Sequence, residues 1–175
     1  SQLMPAAPRV SVVVPVRNEE GNVAALVAEI EAALSPLGAY EMIYVDDGSS
    51  DGTARVLAEL AATRPHLRRM RHEISCGQSA AVRTGVRAAR GAIVVTLDGD
   101  GQNDPAFIPQ MIETLEQGGP NCGLVQGQRV GRKDTGFKKF QSRVANKVRG
   151  AILKDGTRDT GCGLKCFRRD AYLAL

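Results

Sequence analysis

The chain has 175 residues, of which 43% are apolar and 24% are charged, and its formal net charge is +4. This composition is typical of one globular domain with a hydrophobic core and argues against a disordered chain. Only 4% of the residues are aromatic and Trp is absent, so a nucleic-acid surface built on base stacking is not expected.

The two ends and the cysteines suggest how the chain is organised. Residues 1–8 are expected to form a flexible leader and residues 9–175 a single domain. A helical pattern begins near Arg168 and stops without a cap, so we expect the natural protein to continue beyond Leu175. Four cysteines without a secretory signal are expected to be reduced thiols of a cytosolic protein.

Short β-branched runs alternate with helical patterns along the chain. Strands are predicted at 10–16, 41–45, 67–72, 92–97, 123–128 and 163–167. Helical patterns occupy 23–34, 56–61, 77–90, 105–115 and 137–153. This alternation predicts an α/β fold, a three-layer sandwich with a mostly parallel central sheet.

The predicted strand 92–97 ends in two carboxylates, Asp98 and Asp100, separated by one glycine. Flanking glycines let the backbone turn sharply, so both carboxylates and the Gln102 carbonyl oxygen can converge on one point. Oxygen ligands suit a hard divalent cation such as Mg²⁺ or Mn²⁺. An EF-hand loop is excluded because its required Gly and Glu positions hold Asn103 and Pro109. A polar turn without a ligand is the alternative.

Acidic residues follow three predicted strands: Glu19 after the first, Asp46 and Asp47 after the second, and the acidic pair after the fourth. Right-handed crossovers place the carboxyl ends of parallel strands at one edge of the sheet, where ligands bind. We therefore expect these acids to share one crevice.

Neither a Walker loop nor a Gly-x-Gly-x-x-Gly fingerprint is present, so phosphate binding by either of these two motifs is not supported. Instead, Asp46 and Asp47 can accept hydrogen bonds from a ribose or base, while a cation at the acidic pair neutralises a diphosphate.

Three segments in this order and spacing carry a family resemblance: 12–19 (VVVPVRNE), 45–53 (VDDGSSDGT) and 97–102 (LDGDGQ). Together they resemble the family 2 inverting glycosyltransferases of the GT-A (Rossmann-like) fold. The Gln after the acidic pair, followed by Asp104-Pro105, is similar to the dolichol-phosphate mannose synthase branch and its bacterial polyprenyl-phosphate relatives. Two positions depart from the family pattern, since Arg17 replaces the more usual Tyr and Gly99 replaces a common Ala.

The resemblance implies a role for each matching position. The nucleotide would be bordered by Pro15, Arg17, Glu19, Asp46, Asp47 and Asp98. The cation and diphosphate would be held by Asp98, Asp100 and Gln102. The catalytic residues would be Asp100, Asp159 and Arg129, with Arg129 near the phosphates and Asp159 beside the donor sugar. The acceptor phosphate would lie near Ser142, Arg132 and Lys138, and Asn146 falls in the same helix motif.

The expected activity is metal-dependent transfer of a sugar from a UDP- or GDP-linked donor to a polyprenyl phosphate. A lipid phosphate is already anionic near pH 7 and needs no general base, whereas a sugar hydroxyl does. The late Glu-Asp pair of hydroxyl-directed relatives is not visible here. The basic segment 138–147 suggests attraction to an acidic membrane surface, so we expect a cytoplasmic protein peripheral to the inner face of a membrane. A solvated helix face without a partner is the alternative for this segment.

Other functions remain open from the sequence. The same fold can transfer a sugar to the hydroxyl of a glycan or lipid-linked sugar. A nucleotide-sugar-binding module without turnover belongs to a different class. A nucleotidyltransferase is disfavoured, because residues 17–20 (RNEE) stand where such enzymes place a glycine-rich loop. Nucleic acid is not an expected partner.

Overall fold

The computed structural model describes residues 7–120, 122–127 and 163–173, together with the backbone of residues 137–141. The strands are β1 (Val10–Val16), β2 (Tyr40–Asp47), β3 (Leu67–His72), β4 (Ile93–Thr96), β5 (Cys122–Gly127), β6 (Phe137–Gln141) and β7 (Lys165–Arg168). The α-helices are α1 (Val23–Leu34), α2 (Thr53–Ala61), α3 (Gln78–Ala88), α4 (Ile108–Gln117) and α5 (Arg169–Leu173).

All described strands belong to one seven-stranded sheet with the order β3-β2-β1-β4-β7-β5-β6. Strand β1 pairs in parallel with β2 and with β4, and β2 pairs in parallel with β3. Strand β7 runs antiparallel to its neighbours β4 and β5, and β6 runs antiparallel to β5. Five of the seven strands, β1 to β5, therefore point in one direction, which confirms the predicted mostly parallel sheet.

Hydrophobic cores cover both faces of this sheet. On one face α1 and α4 pack against alternate residues of β1, including Val12 and Val14. On the other face α3 and α5 pack against the intervening strand residues, whose side chains point to the opposite side of the sheet, including Val13 of β1 and Ile43 of β2. Full burial of each such side chain contributes about 1.5–3 kcal/mol relative to exposure. The predicted three-layer sandwich is confirmed.

Pro15 lies in a central strand, where proline usually removes a hydrogen bond of the ladder. Strand β4 pairs only with residues Val10 to Val13 of β1, and the last bond on that side joins Leu97 N to Val13 O. The backbone polar groups of residue 15 point to the same side of β1 as those of Val13, but β4 has already ended at that level. The missing N–H of Pro15 therefore removes no hydrogen bond between β1 and β4. The early end of β4 leaves room at this point for the turn that carries the acidic pair.

The prediction of a helix beginning at Phe137 is wrong for residues 137–141, which form β6 on the edge of β5. The apolar spacing of Phe137 and Phe140 fits a helix, but hydrogen bonding to β5 overrides this local pattern. The remainder of that predicted helix lies outside the described residues. Among the described residues, each helix is too short or too polar to span a lipid bilayer.

Gly85 of α3 is buried where this helix packs on β1 and β2. A Cβ at this position would overlap Val13 Cγ1 and lie 3.2 Å from Val45 Cγ2. We expect Gly85→Ala to lower the free energy of unfolding by about 1–3 kcal/mol, although Ala is the better helix former by about 1 kcal/mol. Urea denaturation measures this, with the exposed Arg83→Ala on the same helix as control. A Gly85→Ala chain as stable as the wild type would contradict the close packing of α3 on the sheet.

Candidate functional site

A pocket of about 330 Å³ opens at the carboxyl edge of the sheet, among the loops that follow β1, β2 and β4. Six predicted site residues line it: Pro15, Arg17, Glu19, Asp47, Asp98 and Asp100. Three further lining residues were not predicted: Val16, Gln78 and Gly99. The three acidic loops therefore share one crevice, as the strand order requires.

The described lining of this pocket is strongly acidic. It contains four carboxylates, of Glu19, Asp47, Asp98 and Asp100, and one guanidinium, of Arg17. Like charges gathered in a concave site repel an incoming anion and attract a cation. The pocket can therefore accept a phosphate-containing ligand only with additional positive charge.

Asn18 joins the loops after β1 and β2. Its φ of 55° is in the left-handed region, which Asn tolerates better than most residues. Its Oδ1 accepts hydrogen bonds from Ser50 N at 2.9 Å and Asp51 N at 3.3 Å, and its own N–H donates to Ser49 Oγ at 2.9 Å. Asn18 thus fixes two walls of the site against each other, a role that the sequence analysis missed.

Asp46 and Asp47 point to opposite faces of β2 because side chains alternate along a strand. The Asp46 side chain is buried and is not part of the described pocket lining. Its Oδ1 accepts a hydrogen bond from Ser49 N at 3.0 Å, and Arg71 Nε lies 3.9 Å from Oδ2. In this structure Asp46 braces the loop behind the pocket, and its predicted contact with a nucleotide stays a prediction.

Asp47 organises the loop after β3. Its Oδ1 accepts hydrogen bonds from His72 Nδ1 at 2.9 Å and Cys76 N at 2.8 Å. Its Oδ2 accepts from Ser75 Oγ at 2.8 Å and Gly77 N at 2.9 Å. Burial would raise the pKa of Asp47, but these four hydrogen bonds outweigh it and lower the pKa to about 2. Because a carboxylate offers about four acceptor sites, the capacity of Asp47 is already filled.

Asn103 and Asp100 fold the turn after β4. Buried Asn103 accepts a hydrogen bond from Asp98 N through its Oδ1 at 3.0 Å, and Asp100 Oδ1 accepts one from Gln102 N at the same distance. Gln102 is exposed and lies outside the described pocket lining. Asn103 was missed in the sequence analysis, although Asn is one of the residues that dominate turns.

Gly99 sits where the acidic turn touches β1. A Cβ here would overlap Val16 Cγ1 and lie 2.8 Å from the Pro15 carbonyl oxygen. Gly99, which replaces the Ala common in the family, therefore lets the backbone of the acidic turn approach β1 closely in this chain.

One mixed cluster could in principle hold a metal, since ligand atoms of Asp47, His72 and Cys76 lie within 4.8 Å of one another. However, His72 Nδ1 is bonded to Asp47 Oδ1, and His72 Nε2 lies 2.9 Å from Thr84 Oγ1. A cation would have to displace these hydrogen bonds and part of the Asp47 network. The acidic pair, whose Asp100 is exposed to the pocket, is the better candidate for a divalent cation.

Several predicted site residues lie outside the described part of the chain: Arg129, Arg132, Ser142, Asn146 and Asp159. Lys138 belongs to β6, for which only the backbone is described. Their predicted roles stay predictions.

Comparison with known proteins identifies the family to which this fold belongs. Residues 11–175 match the family model described as glycosyl transferase family 2. The chain is 35% identical over 173 residues to the undecaprenyl-phosphate 4-deoxy-4-formamido-L-arabinose transferase of Klebsiella pneumoniae, covering 98% of this chain and 52% of that protein. It is 38% identical over 168 residues to the transferase of the same name from Aeromonas hydrophila, covering 95% and 51%.

Solved structures show the same fold. The mannosyltransferase PcManGT from Pyrobaculum calidifontis, in complex with GDP-Man and Mn²⁺, superposes with a TM-score of 0.68 at 24% identity, covering 95% of this chain and 46% of that one. S. aureus TarS in complex with UDP gives a TM-score of 0.64 at 17% identity, covering 93% and 47%.

The chain belongs to glycosyl transferase family 2. It spans about half the length of the curated relatives that it matches.

The network around Asp47 predicts a pH-dependent contribution to stability. We expect Asp47→Asn to lower the free energy of unfolding by about 1–3 kcal/mol at pH 7, because the new amide N–H₂ faces groups that donate. The folded-state pKa lies below the ordinary value of 3.8, so the wild-type contribution is present above about pH 4 and is lost as the pH falls toward 2.

Urea denaturation of both chains at pH 7, 4 and 3 measures this effect, with the exposed Asp170→Asn of α5 as control. The gap between wild type and Asp47→Asn should narrow as the pH falls. A gap of constant size would contradict an ionised, fully bonded Asp47.

Proposed function

We propose that this chain carries the catalytic domain of a metal-dependent, inverting glycosyltransferase that moves a sugar from a UDP- or GDP-linked donor to a polyprenyl phosphate. The acidity of the pocket carries this proposal. Four carboxylates at the carboxyl edge of a parallel sheet repel a nucleoside diphosphate unless positive charge offsets them, and a divalent cation supplies such charge. The undecaprenyl-phosphate transferases among the relatives support the acceptor, and the solved neighbours with GDP-Man and Mn²⁺ or with UDP support the donor.

Asp98, Asp100 and Gln102 would hold the cation, as Mg²⁺ or Mn²⁺. The fit rests on the chemistry of the donors, which are all oxygen atoms on a turn held by Asn103. Bound there, such an ion would supply positive charge to the diphosphate and to the oxygen that leaves with it.

The nucleoside would lie against the β1 and β2 side of the pocket, bordered by Pro15, Arg17 and Glu19. Arg17 is the cation of the described lining and can offset part of the phosphate charge. Asp47 would act on this side through the loop that it holds, since its acceptor sites are occupied.

In the transfer step, an oxygen of the lipid phosphate attacks the anomeric carbon from the face opposite the diphosphate. A new C–O bond forms as the old one breaks, and the nucleoside diphosphate leaves with the electron pair, so the anomeric configuration inverts. The attacking phosphate is already anionic and needs no general base. Arg129 would stabilise the leaving phosphate, Asp159 would lie beside the sugar, and the acceptor phosphate would bind near Ser142, Arg132 and Lys138.

The place of reaction follows from the acceptor. A polyprenyl phosphate resides in a membrane, so the site must work at an interface. The basic residues after Gln128 would attract the chain to acidic lipid, at about 1 kcal/mol for each residue near the surface. We place the protein at the cytoplasmic face of that membrane.

Calorimetric titration with UDP and GDP, with and without Mn²⁺, tests the donor site. We expect the wild type to bind one of the two in a Mn²⁺-dependent manner. Asp100→Asn should weaken this binding at least about 10-fold, because it removes a charged ligand of the cation. Glu113→Gln, the same kind of change at an exposed carboxylate of α4, should leave the Kd unchanged. Absence of Mn²⁺-dependent binding in a folded wild-type chain would reject the site.

Product analysis tests the acceptor. A protein containing this chain, supplied with nucleotide-sugar donors and undecaprenyl phosphate, should form a sugar linked through a phosphodiester. Such a linkage is acid-labile, so mild acid should release the sugar from the lipid. An acid-stable glycoside would point to a hydroxyl acceptor, and donor binding without any product would point to a binding module.

A further inference from the structure

Gln78, the first residue of α3, lines the pocket although it carries no charge and no sequence pattern singled it out. Its Nε2 donates a hydrogen bond to Asp98 Oδ1 at 2.8 Å. Because a carboxylate only accepts hydrogen bonds, the N–H₂ side of the amide has to face Asp98. Gln78 therefore makes a charge-assisted hydrogen bond to the first carboxylate of the acidic pair.

The backbone of Gly163 confines the same carboxylate from another direction. A Cβ at Gly163 would overlap the Asp98 carboxyl group, so any larger residue there has to displace it. Gly163 immediately precedes the short segment that leads into β7, and its carbonyl oxygen lies 3.5 Å from Thr96 Oγ1. Asp98 is thus held between an amide donor and a backbone surface, which restricts its rotamers.

Gln78 is itself anchored, because the start of α3 is attached to the end of β2. Gly77, with a φ of 97°, directly precedes the helix and donates its N–H to Asp47 Oδ2 at 2.9 Å. Cys76 N donates to Asp47 Oδ1. A continuous set of contacts therefore runs from Asp47 through the start of α3 to Asp98.

We propose that Gln78 is a positioning residue of the donor site, which orients Asp98 for the divalent cation and the diphosphate. Asp47 holds the helix start that presents Gln78. This inference rests on the proposed function, since it takes the acidic pair as the cation ligands. Partners that orient metal ligands typically change metal affinity 10- to 100-fold when they are removed.

The variant Gln78→Met tests this, because it keeps the length of the side chain and removes the donor. We expect the Kd of the Mn²⁺-dependent nucleoside diphosphate, UDP or GDP as the wild type selects, to rise about 10-fold. Binding of the uncharged nucleoside of the same base, measured without cation by saturation-transfer NMR, should not change. Gln110→Met makes the same substitution at an exposed position of α4 and should alter neither value.

A second variant approaches Asp98 from the other side. Gly163→Ala displaces the carboxylate without removing the Gln78 amide. It should show the same signature, with weaker Mn²⁺-dependent binding and unchanged nucleoside binding. Urea denaturation midpoints close to that of the wild type would show that the variants are folded.

Each other outcome overturns the inference in a distinguishable way. An unchanged Mn²⁺-dependent Kd in Gln78→Met would reject the positioning role and leave the proposed function in place. A parallel loss of nucleoside binding would show that Gln78 contacts the donor itself. A folded wild type that binds neither UDP nor GDP with Mn²⁺ would reject both the inference and the proposed function.

Discussion

Parallel pairing of β1 with both β2 and β4 is the constraint on which the site depends. It brings three acidic loops to one edge of the sheet, where their carboxylates repel one another. That repulsion is tolerated because the stability of the domain comes from the two buried cores on the faces of the sheet. The fold therefore holds together a concentration of negative charge that the loops alone could not maintain, and this charge favours a cation over an anion in the pocket.

Adjacent aspartates at the end of β2 illustrate how strand geometry separates chemical roles. Asp46 points to the face of α1 and braces a turn through Ser49, while Asp47 points to the face of α3 and gathers four donors. The two residues have the same side chain and nearly the same position in the sequence. The alternation of side chains along a strand is sufficient to give them different partners.

Side-chain hydrogen bonds to backbone groups fix the loops of the site. Asn18 ties the β1 loop to the β2 loop, Asn103 closes the acidic turn, and Asp47 pins the start of α3. Loops that carry binding residues are usually the more mobile parts of a fold. Here these bonds tie one loop to another, close a turn on itself and attach a helix start to a strand end, so the described part of the pocket is largely formed before any ligand enters, which reduces the ordering cost of binding.

The sequence by itself determined the layer architecture, most element positions and the gathering of acids at one edge, because alternating apolar periods and parallel crossovers leave few other arrangements. Family motifs also pointed to the acidic pair. Tertiary structure alone decided that residues 137–141 form a strand, since pairing with β5 outweighs a short ambiguous pattern. It also decided that Gln78 donates a hydrogen bond to Asp98, 20 residues away, and that the acceptor sites of Asp47 are occupied by groups of the protein. These contacts depend on how separate elements pack, and no local sequence pattern encodes that packing.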